Sequence, residues 1–163
     1  IRWLDKNLFG RGLEAGAVSL YFLPLGEPTC PTPDNVRFVF LEKESLPPFY
    51  LPQWSNALCE ERKSLDVFAV AALCGGLTAG LAGASWDCSA LLQVGVDVLP
   101  AVRGRGVGAA LTSRLAACIR AAGKTAFYCC EAGNLPSIKT ALRSGFRPTA
   151  TRLSAQKQKP DAF

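Results

Sequence analysis

"VDVLPAVRGRGVGAAL", residues 96–111, joins an alternating apolar run to an apolar helix through a corner in which Arg103 and Arg105 alternate with Gly104, Gly106 and Gly108. The first backbone N–H groups of a helix have no intrahelical partner, and its aligned peptides present roughly half a positive charge there. Glycine lets the backbone approach an anion, and arginine adds charge-assisted donors suited to phosphate. The corner is therefore expected to hold a phosphate group, most naturally a pyrophosphate.

Upstream, "LLQVGVDV" (91–98) puts Leu92, Val94, Val96 and Val98 on one face of a strand and Gln93, Gly95 and Asp97 on the other. Before it, "DVFAVAAL" and "LTAGLAGAS" flank Cys74-Gly75-Gly76, which reads as a tight antiparallel hairpin. Downstream, Val107, Leu111, Leu115, Cys118, Ile119 and Ala122 recur at helical spacing up to Gly123, and "TAFYCCE" is a buried strand with Cys129 and Cys130 on opposite faces. "NLPSIKTALRSGF" is a second helix, with Asn134 as N-cap, Pro136 in the first turn, Leu135, Ile138, Ala141 and Leu142 on one side, and Gly145 as the stop. "FRPTATRLSA" is a last strand before a polar tail. From residue 66 the order is three strands, helix, strand, helix, strand.

The first sixty residues are less regular. "AVSLYFLP" is a strand candidate, "PLGEPTCPTPDN" is a loop, and "VRFVFLE" begins as a strand that Pro47, Pro48 and Pro52 interrupt. A short helix capped by Ser55 or Asn56 is expected after them. Phe49, Tyr50 and Trp54 are either core or the wall of a cleft.

With 163 residues, 49% of them hydrophobic, the chain is the size of one domain with a real core. The expected organisation is a single domain over 1–163, with 1–60 as an acceptor-side arm and 61–155 as the cofactor-binding core. No apolar run is long enough to span a membrane, and "IRWLDKNLFG" lacks the features of a signal peptide, so a cytoplasmic protein without membrane contact is expected. Seven cysteines without a CxxC pair read as reduced, small buried hydrophobes. The chain has no histidine, which excludes Ser-His-Asp triads and Cys-His dyads and removes the commonest metal ligand; no metal site is expected.

Charge is unevenly shared. Residues 1–100 hold seven Lys/Arg against eleven Asp/Glu, a net −4, whereas 101–163 hold eleven basic residues against Glu131 and Asp161, a net +9. The basic third suggests a polyanionic partner, either a phosphorylated cofactor or nucleic acid. Nucleic acid is disfavoured because the only aromatics among those basic residues, Phe127, Tyr128 and Phe146, read as buried. Lys139 and Arg143, one helical turn apart, form a solvated basic face or meet a cofactor phosphate.

Three motif readings compete for the corner. The Walker pattern GxxxxGK[ST] is missing. Gly104-x-Gly106-x-x-Ala109, with Glu131 at the end of the next strand, nearly meets the Rossmann fingerprint, but five residues separate it from its strand and the preceding strands form a hairpin. Third, Val98-x-Pro100-x-x-Arg103-Gly104-x-Gly106-x-Gly108 resembles the acyl-CoA signature of the GNAT superfamily of N-acyltransferases. Asn134-x-x-Ser137 with Gly145-Phe146 is similar to that superfamily's following helix, and the resemblance covers about residues 60–153. The segment 41–62 also resembles the acceptor side of a bacterial branch.

The resemblance implies an α/β acyl-CoA N-acyltransferase fold, with a mixed, mostly antiparallel sheet flanked by helices. It implies acetyl-CoA as acyl donor and a small-molecule or peptide amine as acceptor, with the protein a monomer or homodimer. Backbone N–H groups of Arg103, Gly104, Arg105, Gly106, Val107 and Gly108 would clasp the pyrophosphate, the strand backbone at Val96 and Val98 would pair with the pantetheine arm, and Asn134 and Ser137 would contact that arm. An attacking amine must lose a proton, and with no histidine Asp97 and Glu131 are the candidate acceptors. The position that carries a tyrosine in many relatives, thought to protonate the leaving thiolate, is Ala141; Tyr128 or Ser137 would substitute. That departure leaves a non-catalytic CoA-binding sensor as an alternative, beside the Rossmann oxidoreductase.

Overall fold

The computed structural model describes residues 2–27, 30–86 and 88–157; the tail from 158 on, with Asp161, lies outside them. A helix α1 (Arg2–Phe9) leads into β1 (Leu13–Pro24), and then come β2 (Val36–Glu42), β3 (Asp66–Cys74), β4 (Leu77–Trp86), β5 (Leu91–Val98), α2 (Val107–Ala121), β6 (Thr125–Glu131), α3 (Leu135–Arg143) and β7 (Phe146–Lys157). The strands form one seven-stranded sheet in the order β2-β3-β4-β5-β6-β1-β7. Five of its six junctions are antiparallel and only β5–β6 is parallel, which excludes the parallel sheet a Rossmann enzyme needs.

Every element expected from residue 66 onward is present, because each carries its own period and its own stop. Two expectations upstream and one downstream are corrected. The strand expected over 17–24 is longer and lies inside the sheet, between β6 and β7. The N-terminal residues are thus part of the cofactor-side sheet rather than an arm beside it, held by Phe22, which is fully buried in the main core. The helix expected after Pro52 is instead two 3-10 segments, Pro52–Trp54 and Glu60–Leu65, whose N-caps are Leu51 and Cys59, while Ser55 is the C-cap of the first. On α3, Leu135 and Leu142 are exposed; Ala141 is fully buried and Ile138 packs against the core.

Two cores sandwich the sheet. On one face Val107, Leu111, Leu115 and Ile119 of α2 and Ala141 of α3 pack on Val70, Ala82, Val94 and Tyr128. On the other, Leu46, Trp54, Ala57 and Leu58 pack on Ala69, Ala71 and Leu81, with Phe49 and Tyr50 alongside. The three aromatics of 49–54 are therefore core rather than cleft wall, and the Tyr50 hydroxyl donates to buried Asp66 at 2.9 Å. Burial raises the Asp66 carboxyl, an effect the Tyr50 hydrogen bond partly offsets.

The second core sits close to the sheet for a specific reason. Gly83 and Gly95 are direct cross-strand partners. A Cβ on Gly83 would collide with the Ala57 carbonyl, and one on Gly95 with the Asn56 carbonyl. This bare patch lets the 54–58 backbone lie against β4 and β5. All seven cysteines are free thiols, but six are half-buried and Cys88 is exposed, so the expected buried set is not what forms. Among the described residues no helix is long and apolar enough to cross a membrane.

Candidate active site

The parallel ladder between β5 and β6 runs from Leu91–Thr125 to Val94–Tyr128 and stops there. Both strands continue, β5 to Val98 and β6 to Glu131, so their facing edges diverge. A cavity of about 810 Å³ fills the gap. Gly95, Val96, Asp97 and Val98 form one bank and Cys129, Cys130 and Glu131 the other. Because β5 spends its other edge on β4, backbone groups on its cavity edge remain available to an extended ligand carrying amides.

The corner at 103–108 closes one end of this cavity. Gly104 and Gly106 have φ of +77° and +83°, a left-handed backbone that side chains disfavour. Gly106 is the N-cap of α2 without any side-chain cap, and the first bond into the helix is from the Ala110 N–H to the Gly106 carbonyl at 3.0 Å. The N–H groups of Val107, Gly108 and Ala109 are left without intrahelical partners, an anion site of the expected kind.

The two arginines separate. Arg103 lines the cavity, and its Nε donates to the Val98 carbonyl at 2.9 Å, clamping the corner to the end of β5. The Arg105 side chain is exposed, and its neighbours Arg103, Gly104 and Gly106 form the cavity wall there. Lys139 and Arg143 of α3 do line the cavity, so the cationic end draws on the second helix as well. Val107 contributes backbone there, because its side chain is buried in the main core.

Asn134 accepts the Ser137 N–H on its Oδ1 at 3.1 Å as the α3 N-cap, and it also lines the cavity. Ser137 Oγ lies 2.7 Å from the Tyr128 hydroxyl. Burial pushes the Tyr128 phenol up and the Ser137 hydrogen bond partly offsets it, so Tyr128 stays protonated at neutral pH. The Tyr128 ring shares the main core with fully buried Ala141, and its hydroxyl ends one helical turn before that residue, at Ser137.

Asp97 has another role than expected. Its carboxylate accepts the Asn56 N–H at 2.8 Å, the Asn56 Nδ2 amide at 2.7 Å and the Ala57 N–H at 2.9 Å. It anchors the 54–58 segment on β5, and its oxygens are occupied. Asp97→Asn is expected to lower stability by about 2 kcal/mol, measured by urea unfolding, because a charged acceptor of three hydrogen bonds is lost. Glu131 is exposed at the end of β6, with its backbone paired to Ser19, and among the described residues no such network takes its carboxylate. Asn56 and Gln93 also reach the cavity. Sequence reasoning missed Asn56, since its position depends on Asp97, forty-one residues away; the alternation of β5 had already set Gln93 on the polar face.

Residues 87–153 match the family described as FR47-like protein. The whole architecture is shared with solved GCN5-related N-acetyltransferases. The chain has the fold of the GNAT superfamily. The protein of this GNAT type from Kribbella flavida is 17% identical, with a TM-score of 0.72 over 98% of this chain and 65% of that one. Its counterpart from Sphaerobacter thermophilus is 14% identical, at 0.70 over 98% and 57%. A GNAT-like protein from Streptococcus suis is 17% identical, at 0.63 over 96% and 67%. The chain thus spans roughly two thirds or less of the length of these solved GNAT structures. No curated protein matches it.

Proposed function

We propose that this GNAT-fold chain transfers an acetyl group from acetyl-CoA to a primary amine. The observation that carries the reading is a single cavity joining the α2 N-terminus to the divergence of β5 and β6. That shape suits a long ligand with a pyrophosphate at one end and a thioester at the other. The free N–H groups of Val107, Gly108 and Ala109, with Arg103, Lys139 and Arg143, bind the phosphates. The free edge of Val96–Val98 orients the amide arm, with Asn134 and Ser137 against it.

An ammonium with a pKa near 10.4 is neutral in only about one molecule in 10³ at pH 7, a deficit of roughly 4–5 kcal/mol. Glu131 takes that proton, directly or through water. Tyr128 donates a proton to the departing sulfur. The penalty it removes is small, since releasing a thiolate of pKa about 8.5 at pH 7 costs about 2 kcal/mol. Tyr128→Phe is accordingly expected to lower kcat about 10- to 30-fold while the KM for acetyl-CoA holds, measured by thiol release.

Calorimetry with acetyl-CoA and an amine-panel thiol-release assay test the reading together. Binding without release from any amine would favour the sensor, and absence of binding would end both. The basic third serves the donor's phosphates rather than nucleic acid; Phe127, Tyr128 and Phe146 are all buried and offer bases no stacking surface. The acceptor is a small-molecule or peptide amine, and the protein works as a monomer or homodimer in the cytoplasm, where free thiols persist.

A further inference from the structure

The sheet face opposite α2 and α3 carries a row of side chains of which the mechanism uses only Glu131. Glu131 of β6 pairs with Ser19 of β1, and Ser19 pairs with Arg152 of β7. Directly paired residues share a face, so the three form one line across three strands. The Cα atoms of its ends are two strand spacings apart, about 9–10 Å. Ser19 is 7% exposed, whereas Glu131 and Arg152 are both exposed.

The neighbouring row, nearer the divergence of the strands, is Cys129, Tyr21 and Ala150. Tyr21 stacks on Phe127, with ring centroids 6.3 Å apart. The Arg152 guanidinium leans over Tyr21, its carbon 5.7 Å from the ring centre. It therefore points toward the Tyr21 row. Glu131 and Arg152 make no ion pair with each other among the described residues. A carboxylate and a guanidinium thus stand at the two ends of one row, with Ser19 between them and Tyr21 in the row beside it.

We infer that this row is the acceptor subsite and that it selects a free α-amino acid, holding the ammonium on Glu131 and the carboxylate on Arg152. The inference rests on the acetyl-transfer reading above and deepens it. Charge complementarity carries it: a compact zwitterion meets opposite charges at the two ends of the row, and a guanidinium suits a carboxylate through two parallel N–H donors. A plain amine leaves Arg152 without its anion. A peptide N-terminus carries an amide where the carboxylate should be.

The test follows thiol release from acetyl-CoA with the proteinogenic α-amino acids, the carboxamide of each, and a dipeptide of each. At least one free amino acid is expected to exceed its carboxamide in kcat/KM by on the order of 30-fold, the worth of a charge-assisted hydrogen bond. In Arg152→Gln that ratio should fall toward one, chiefly through the acceptor KM. Arg147→Gln should preserve it, since Arg147 bonds the Leu142 and Phe146 carbonyls instead. Equal use of amino acid and carboxamide, or a preference that survives Arg152→Gln, overturns the acceptor assignment and leaves acetyl transfer standing. Calorimetry on the same protein separates the two, because loss of acetyl-CoA binding itself would remove both.

Discussion

Gly106→Trp is expected to weaken acetyl-CoA binding by about 10³-fold while the protein stays folded. The site depends on three unpaired N–H groups at the start of α2, and an indole at Gly106 lies over them. Losing several charge-assisted hydrogen bonds, each worth about 1.5–3 kcal/mol, is enough for such a loss. The fold tolerates the change because a Cβ at Gly106 meets only Pro33 Cγ, at 3.9 Å. The remaining cost is backbone strain at φ +83°, about 1–2 kcal/mol. Calorimetry with acetyl-CoA beside a thermal melt reads both effects. Near-native affinity in the variant would mean that the phosphates lie elsewhere.

Glu131→Gln is expected to lower kcat/KM by about 10² at pH 7, with a loss that shrinks as pH rises. The sign follows from the amine. With the carboxylate present, a bound ammonium gives up its proton within the complex, so the wild type depends only weakly on pH below the amine pKa. With glutamine, only the fraction already neutral reacts, and that fraction grows tenfold per pH unit toward the amine pKa. The variant's profile should therefore climb with a slope near one and approach the wild type in alkali. A deficit that stays constant with pH would assign Glu131 to positioning alone. Stability should change little, since the side chain is exposed, in contrast to Asp97, whose carboxylate holds the 54–58 segment.

These two residues show where sequence reading is strong and where it stops. Asp97 and Glu131 look equivalent along the chain: each is an acidic residue near the end of a strand beside the corner. Their roles divide because Gly83 and Gly95 let the backbone of Asn56 and Ala57 approach β5 and take one carboxylate but not the other. Arg103 and Arg105 divide similarly, one clamped to the Val98 carbonyl and one left in solvent. Tyr128 was legible as a residue of the buried strand before Asn134, but its 2.7 Å approach to Ser137 is set by how β6 and α3 pack.

The sequence by itself determined the corner: a strand, a proline, a glycine–arginine turn and a helix start within sixteen consecutive residues. Helix ends and left-handed glycines are local physics, needing no distant partner to form. Only the tertiary structure decided which distant residues meet. Asn56 meets Asp97, and Ser19, Glu131 and Arg152 fall into one row, through sheet pairing between residues far apart in the chain. Strand order and register are set by which faces bury together, and inserting β1 between β6 and β7 is a choice that no local period encodes.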